Sequence, residues 1–242
     1  MVMQIVDESA SRKDLAVRRE TKYILTGADI GKVRRLLEGN SRRQVHNEEV
    51  SVVRSIYFDD VRLSACRANL DGLGLRRKVR LRWYDRPLPT HDCYLEIKWR
   101  NNKVTGKHRL HIRSPQEVGR MTYHQLNELL LRNVPQEYTI DLLRYSEPVV
   151  IVEYKREHFT SRDGKLRVTI DYDLAFYAQQ GKPAPSVAFA HHMPGFIVVE
   201  GKTPLGCERE LRTMLAPLSL RAGKCSKYVH GCRAVGIISD RD

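Results

Sequence analysis

Residues 76–84 read Arg76-Arg77-Lys78-Val79-Arg80-Leu81-Arg82-Trp83-Tyr84. From Lys78 onward, cations alternate with apolar side chains. Successive side chains of a strand point to opposite faces, so Arg76, Lys78, Arg80 and Arg82 share one side while Val79, Leu81 and Trp83 share the other. The next two stretches repeat the pattern. Cys93–Arg100 sets Tyr94, Glu96, Lys98 and Arg100 against Cys93, Leu95, Ile97 and Trp99. Thr105–Arg113 sets Thr105, Lys107, Arg109 and His111 against His108, Leu110 and Ile112. Between Arg76 and Arg113 there are twelve Lys/Arg and three Asp/Glu. A disordered basic tail would lack the apolar alternation, so this segment predicts half-buried strands with a cationic face.

Reading outward at the same period adds five strands: Val17–Leu25, Ser51–Asp59, Val149–Phe159, Lys165–Asp171 and Phe196–Lys202. Tyr154, Arg156 and His158 share a face, as do Lys165, Arg167, Thr169 and Asp171, and Val198, Glu200 and Lys202. Helical spacing appears over Asp29–Glu38, Val61–Ala68, Thr122–Arg132, Cys207–Leu215 and Ser226–Val235. Asn101-Asn102-Lys103 and Arg162-Asp163-Gly164 are hairpin turns, and Ala178–Pro194, with Gly181 and three prolines, reads as a long surface loop. Residues 1–14 read as a flexible N-terminal tail before a single domain over 15–242.

The 242 residues carry a net charge of +13, which calls for an anionic partner. No apolar run reaches the length of a transmembrane helix, and Met1–Asp14 lacks the apolar core of a signal peptide. Cys66, Cys93, Cys207, Cys225 and Cys232 are scattered and never in Cys-x-x-Cys spacing, which disfavours a disulfide framework or zinc ribbon and suits a reducing cytoplasm.

An open sheet with its polar face in water accounts for the alternation. Rows of one sign do not suit it, because like charges repel across strands. An eight-stranded antiparallel β-barrel with helices packed outside, an α+β fold, would instead gather the rows around one lumen where an anion could sit.

The ordered motifs are Lys22-Tyr23, Tyr57-Phe58-Asp59, Val79-Arg80-Leu81-Arg82-Trp83-Tyr84, Leu95-Glu96-Ile97-Lys98, Tyr154-Lys155-Arg156, Leu166-Arg167-Val168-Thr169-Ile170-Asp171, Val199-Glu200-Gly201-Lys202 and Lys224-Cys225-Ser226-Lys227-Tyr228. In this order, from about Arg18 to Gly231, the chain resembles the polyphosphate polymerase domain of the vacuolar transporter chaperone complex in its bacterial stand-alone form, one of the triphosphate tunnel metalloenzymes. The resemblance implies a closed tunnel that makes inorganic polyphosphate from the γ-phosphate of ATP with Mn2+ or Mg2+. Carried over by position, Lys22, Arg80, Arg82, Lys98, Arg156, Arg167 and Lys227 would bind phosphates, with Lys107 and Lys202 as looser matches. Arg80, Arg82, Lys98 and Lys227 would be catalytic, and Glu200 would hold the metal. The implied partners are ATP, polyphosphate, pyrophosphate or triphosphate, and a separately encoded membrane partner is compatible with it; nucleic acid is not expected.

The residues support phosphate chemistry independently. Arg80 and Arg82 lie two apart on one strand, roughly 6.5 Å, close to the spacing of neighbouring phosphoryl groups. The alternative for this pair is a surface salt-bridge ladder, disfavoured by the scarcity of nearby acids. Glu96 also lies on a cationic face, either as a second metal ligand or as a support for Lys98 and Arg100. Asp171 is either a ligand partner or the end of a strand entering a turn. His191-His192 lacks a third ligand, and Ala222-Gly223-Lys224-Cys225-Ser226 lacks the earlier glycine of a nucleotide-binding loop, Leu218 standing in its place. Competing functions are a triphosphatase cutting ATP or tripolyphosphate, and a non-catalytic module binding polyphosphate or nucleic acid. No dense aromatic platform for single strands accompanies the cations.

Overall fold

In the computed structural model, the stretch that opens at Leu75 is a strand in the middle of one large antiparallel sheet. Residues 3–8, 18–45, 48–102 and 104–239 are described. The strands are β1 Gln4–Asp7, β2 Arg18–Leu25, β3 Arg42–Gln44, β4 Ser51–Asp59, β5 Leu75–Tyr84, β6 Asp92–Asn101, β7 Val104–Arg113, β8 Glu147–Thr160, β9 Arg167–Ala178, β10 His191–Met193 and β11 Ile197–Pro204. The helices are α1 Ile30–Asn40, α2 Ser64–Leu70, α3 Tyr123–Asn133, α4 Gln136–Arg144, α5 Glu208–Leu215 and α6 Lys227–Ala234. All eight expected strands are present, and β1, β3 and β10 are additional. Helix α4 is also additional; its buried Tyr138, Asp141 and Leu142 follow the i, i+3, i+4 spacing of one helical face.

The sheet runs β1-β7-β6-β5-β4-β8-β9-β11-β2, with β3 on β8 and β10 on β9. The expected closed barrel is not what forms: the sheet is open, with no β2–β7 pairing among the described residues. Both edges that closure would need are otherwise occupied. β1 lies along β7, with Ile5 opposite Ile112. The chain around Ala222 covers β2, bridging Tyr23 and donating Gly223 N–H to the Lys22 carbonyl at 2.9 Å. Covered edges lose their drive to pair. The sheet nevertheless curls far enough that Glu20 and Lys22 of β2 act electrostatically on Lys98 of β6, so the molecule is a trough. β1 also corrects the expected tail: Gln4–Asp7 is paired and Glu8 donates its N–H to the Arg109 carbonyl at 2.9 Å. The remaining tail residues, 1–2 and 9–14, lie outside the described residues, as do 17 and Lys103 of the expected strand and turn.

Apolar side chains of the alternating strands face outward under helices. Val79, Leu81, Trp83, Leu95, Ile97, Leu110 and Ile112 pack with Tyr123, Leu126, Leu130, Tyr138 and Leu142 of α3 and α4. Val168, Ile170, Ile197 and Val199 pack with Val33 and Leu37 of α1 and with Leu211, Met214 and Leu215 of α5. Each such buried side chain contributes roughly 1.5–3 kcal/mol, which holds the cationic face to the concave side. Helix α6 lies within that concave side, where Tyr228, Val229 and Cys232 meet Val150, Val152, Tyr154, Leu174 and Phe176. The approach is close: a Cβ on Gly231 would come 2.9 Å from Phe176 and 3.3 Å from Val150.

β9 does not end at Asp171. Glu153 pairs with Ala175 and Lys155 with Tyr172, so Asp173 and Leu174 together oppose Tyr154. Asp173 takes the left-handed conformation, φ 50°. This bulge resets the alternation, and Asp171, Leu174 and Phe176 all serve the concave side.

Candidate functional site

Register turns the alternation into a grid. Lys78, Lys98 and Lys107 stand side by side on β5, β6 and β7; the next level is Arg80, Glu96 and Arg109, and the next Arg82, Tyr94 and His111. Tyr57 and Ser55 of β4 sit opposite Arg80 and Arg82.

Glu96, 1% exposed, collects the middle of this grid. It accepts from Arg80 Nε at 2.8 Å, from Arg80 Nη2, and from Lys107 Nζ at 2.7 Å, with Arg82 at 3.6 Å and Arg109 at 3.9 Å. Burial pushes its carboxyl up, but Arg80, Arg82, Lys107 and Lys98 together hold it well below the usual range. An acid therefore does lie beside the Arg80/Arg82 pair, across the strand. Glu96 is committed to Arg80 and Lys107, and among the described residues neither Lys98 nor Arg100 forms an ion pair with it. Arg80 also donates to Tyr57 Oη at 2.7 Å, so its guanidinium is largely spent on protein partners. Arg82 donates only to Ser55 Oγ at 3.2 Å and Tyr154 Oη at 3.3 Å, which leaves it the more available to a ligand.

A second carboxylate pair joins β2 and β11. Glu200, 7% exposed, takes Lys202 at 3.0 Å and Lys22 at 3.8 Å, and Lys22 also meets Glu20 at 3.1 Å. Against burial, Lys202, Lys22, Arg156 and Lys98 keep Glu200 ionised, well below its ordinary value. Burial, then the charge of Glu200, pushes the neighbouring Glu20 carboxyl up, while Lys98, Lys22 and Lys202 outweigh both and lower it. Thr169, directly opposite Glu200 on β9, has a buried hydroxyl with no hydrogen-bond partner.

The third centre is Asp171, fully buried. Arg156 grips it with Nε at 2.6 Å and Nη2 at 2.7 Å, and Lys227 donates from the first turn of α6, where Ser226 caps the helix. Burial raises its carboxyl, but Arg156 and Lys227 bring it down to about 2. Lys227 and Arg156 also lie over the Tyr154 ring at 4.7 and 5.2 Å.

Among the described residues the trough thus gathers ten lysine and arginine side chains, Lys22, Lys78, Arg80, Arg82, Lys98, Lys107, Arg109, Arg156, Lys202 and Lys227, against the carboxylates of Glu8, Glu20, Glu96, Asp171 and Glu200. Among the described residues Lys98 has no hydrogen bond or ion pair, and burial followed by Arg80 pushes its ammonium well below the ordinary lysine range. Burial likewise brings Lys107 down to about 8 despite Glu96. Arg167 is exposed at the start of β9, directly opposite Lys202. The alternation places Lys78 on the cationic face but not among the phosphate ligands, and Tyr57 enters only within the Tyr57-Phe58-Asp59 motif; Glu20, two residues before Lys22, is not singled out. His191 and His192 are exposed on β10, and no group of three or more His, Cys, Asp or Glu suited to a metal occurs among the described residues. All five cysteines are free, and no helix among the described residues is long and apolar enough to cross a membrane.

Such an excess of charge implies a response to polyanions. Tripolyphosphate at a hundredfold excess over its Kd should stabilise the fold by about 2.7 kcal/mol, a rise in Tm of roughly 5–10 °C. Single phosphate should do much less because it cannot span several strands, and duplex DNA should do little because it is too broad to enter. Thermal unfolding at matched charge and two salt concentrations checks this. Equal shifts from DNA and tripolyphosphate, both lost in salt, would place binding on an outer surface.

No curated protein matches the chain. Among solved structures it is similar to a provisionally assigned adenylate cyclase from Bacillus halodurans, at 10% identity, covering 93% of this chain and 96% of that one, with a TM-score of 0.48. A provisionally assigned adenylate cyclase from Vibrio parahaemolyticus is 12% identical, with coverages of 88% and 97% and a TM-score of 0.46. An inorganic triphosphatase is 10% identical, with coverages of 80% and 78% and a TM-score of 0.30. The model of the VTC domain matches residues 17–235, from the edge of β2 to the end of the helix that carries Lys227, and with that span matched the chain belongs to the VTC domain family.

Proposed function

We propose that this protein synthesises inorganic polyphosphate by transferring the γ-phosphate of ATP to a growing chain in the trough. The observation that carries the reading is the surplus of cations on one concave face, spread across β5, β6, β7, β8, β11 and α6, which suits a long, flexible polyanion better than a single phosphate. In the reaction a terminal oxygen of the chain attacks the γ-phosphorus, its bond to the β,γ-bridging oxygen breaks, and ADP leaves. Such transfer is mostly positioning and charge neutralisation. Arg82 and Lys98 would contact the transferring phosphoryl group, Lys227 would meet the phosphates from the start of α6, and Arg80 would act from the rigid seat made by Glu96 and Tyr57.

Mn2+ or Mg2+ fits the residues around Glu200. A hard cation takes oxygen ligands and keeps waters and substrate oxygens. Here Glu200 stays ionised, Glu20 lies within its electrostatic reach, and the Thr169 hydroxyl opposite lacks a partner. Glu200 would hold the ion, assisted by this pair. The metal would neutralise charge developing on phosphate oxygens.

The test is incubation with ATP and manganese, with and without a pyrophosphate or polyphosphate primer, followed on a gel. Chain growth supports the polymerase; phosphate release without growth identifies a triphosphatase, which the same cations would serve. Arg82→Ala should lower turnover at least tenfold, since a charge-assisted contact is worth roughly 1.5–3 kcal/mol, with the fold intact. Arg80→Ala should lower turnover similarly but also reduce Tm, because it strips Glu96 and Tyr57 of a partner. Undiminished turnover in both variants would place this face outside the reaction.

A further inference from the structure

Lys78 is absent from the phosphate ligands proposed above, yet its surroundings are the most one-sided in the trough. It faces Lys98 directly across β5 and β6. Directly opposite side chains start roughly 5 Å apart at Cβ, so two ammonium groups there repel. Lys107, the third lysine of that level, has Glu96; among the described residues Lys78 and Lys98 have no carboxylate within 4.0 Å. Lys78 donates to a neutral acceptor, Ser226 Oγ, at 2.9 Å. Around it stand Arg76 and Arg80 on its own strand, Lys98 on β6, Lys22 on β2 and the Cys66 thiol on α2. Glu20 and Glu200 act on Lys98 and Lys22 from β2 and β11.

We propose that Lys78 is a further substrate-binding residue, which meets the phosphates of a polyphosphate chain settling between β5 and β6 and takes up a proton from the buffer as it does so. This rests on the reading that the trough accepts a polyphosphate chain, and not on the polymerase reaction. The electrostatics run the same way: burial, then Lys22, Arg80 and Arg76, bring the empty-state ammonium down to about 7. Phosphate oxygens beside it reverse the balance. Affinity then falls as pH rises above that value, because each chain must bring in a proton. In the empty protein the same lysine opposes folding at neutral pH, since the unfolded chain binds its proton more readily. Lys78→Met keeps the aliphatic stem and removes that penalty.

The experiment is calorimetric titration of metal-free protein with tripolyphosphate at pH 8, in buffers of different ionisation enthalpy. Comparing variants cancels the protonation of tripolyphosphate itself. The parent should take up protons on binding, and Lys78→Met fewer by close to one, about 0.9 for a group titrating near 7. Lys78→Met should bind about tenfold to a hundredfold more weakly, yet the empty variant should melt no lower than the parent. Lys78→Arg should recover affinity without the proton uptake. Equal proton counts in parent and Lys78→Met, or a lower Tm with unchanged affinity, would overturn the proposal and make Lys78 a strut for the α6 cap. A parent that shows the predicted proton uptake but grows no chain from ATP would defeat the polymerase reading and leave this one standing.

Discussion

Glu200→Gln should abolish metal-dependent turnover, a loss of roughly hundredfold or more given the several kcal/mol a bound divalent ion supplies, while retaining polyphosphate binding. The amide is nearly isosteric but has no net charge to hold a divalent ion. The fold should tolerate it, because Lys22 keeps Glu20 and half-buried Lys202 can reach solvent. Removing one anion from a cation-rich trough should make tripolyphosphate bind as tightly as before or slightly tighter. Manganese titration without nucleotide, together with tripolyphosphate binding, separates the two effects. A variant that responds to manganese like the parent would show that Glu200 is not the ligand.

Asp171→Asn should destabilise the protein by about 3–5 kcal/mol, since breaking a buried ion pair leaves its partners uncompensated. Asp171 has no exposed surface and faces both Arg156 and Lys227, which its amide would leave buried without a counter-charge. The pH dependence follows from the lowered carboxyl. Its value falls from 3.8 to about 2 on folding, so its contribution is full above the unfolded value and is lost as pH drops through the folded one. That contribution is about 2 kcal/mol. Acid unfolding should therefore steepen between about pH 4 and pH 2 in the parent and flatten in Asp171→Asn. Denaturant melts at pH 7 and pH 3 check it; an unchanged midpoint at pH 7 would mean that Arg156 and Lys227 find other partners.

The eight strands, and which side chains of β5, β6 and β7 share a face, were legible because period-2 alternation is a local property. Each of those strands keeps the apolar residues that its outer face buries. Helix α4 escaped because Tyr138 and Leu142 are few, and Asp141 on the same face reads as solvent-exposed until Arg77 is seen at 2.6 Å. Edge strands β1, β3 and β10 are only three or four residues long, too short for alternation to register.

What could not be read from local pattern is which charges meet. Counted along its own strand, the cationic row of β5 contains no acid, and an Arg80/Arg82 pair with few acids nearby reads as free for phosphate. Cross-strand register puts Glu96 opposite Arg80, and the curl of the sheet brings β2 toward β6, so part of the charge is already matched before any ligand arrives. Closure was likewise undecided locally, because it depends on what covers the two edges: β1 on β7, and the segment around Ala222 on β2, more than a hundred residues away in sequence from one another. Alternation determines which face is cationic, since it needs only neighbouring residues. Pairing, bulge and edge coverage determine which of those cations remain available, since a charge is neutralised by whatever the fold places within a few ångströms of it.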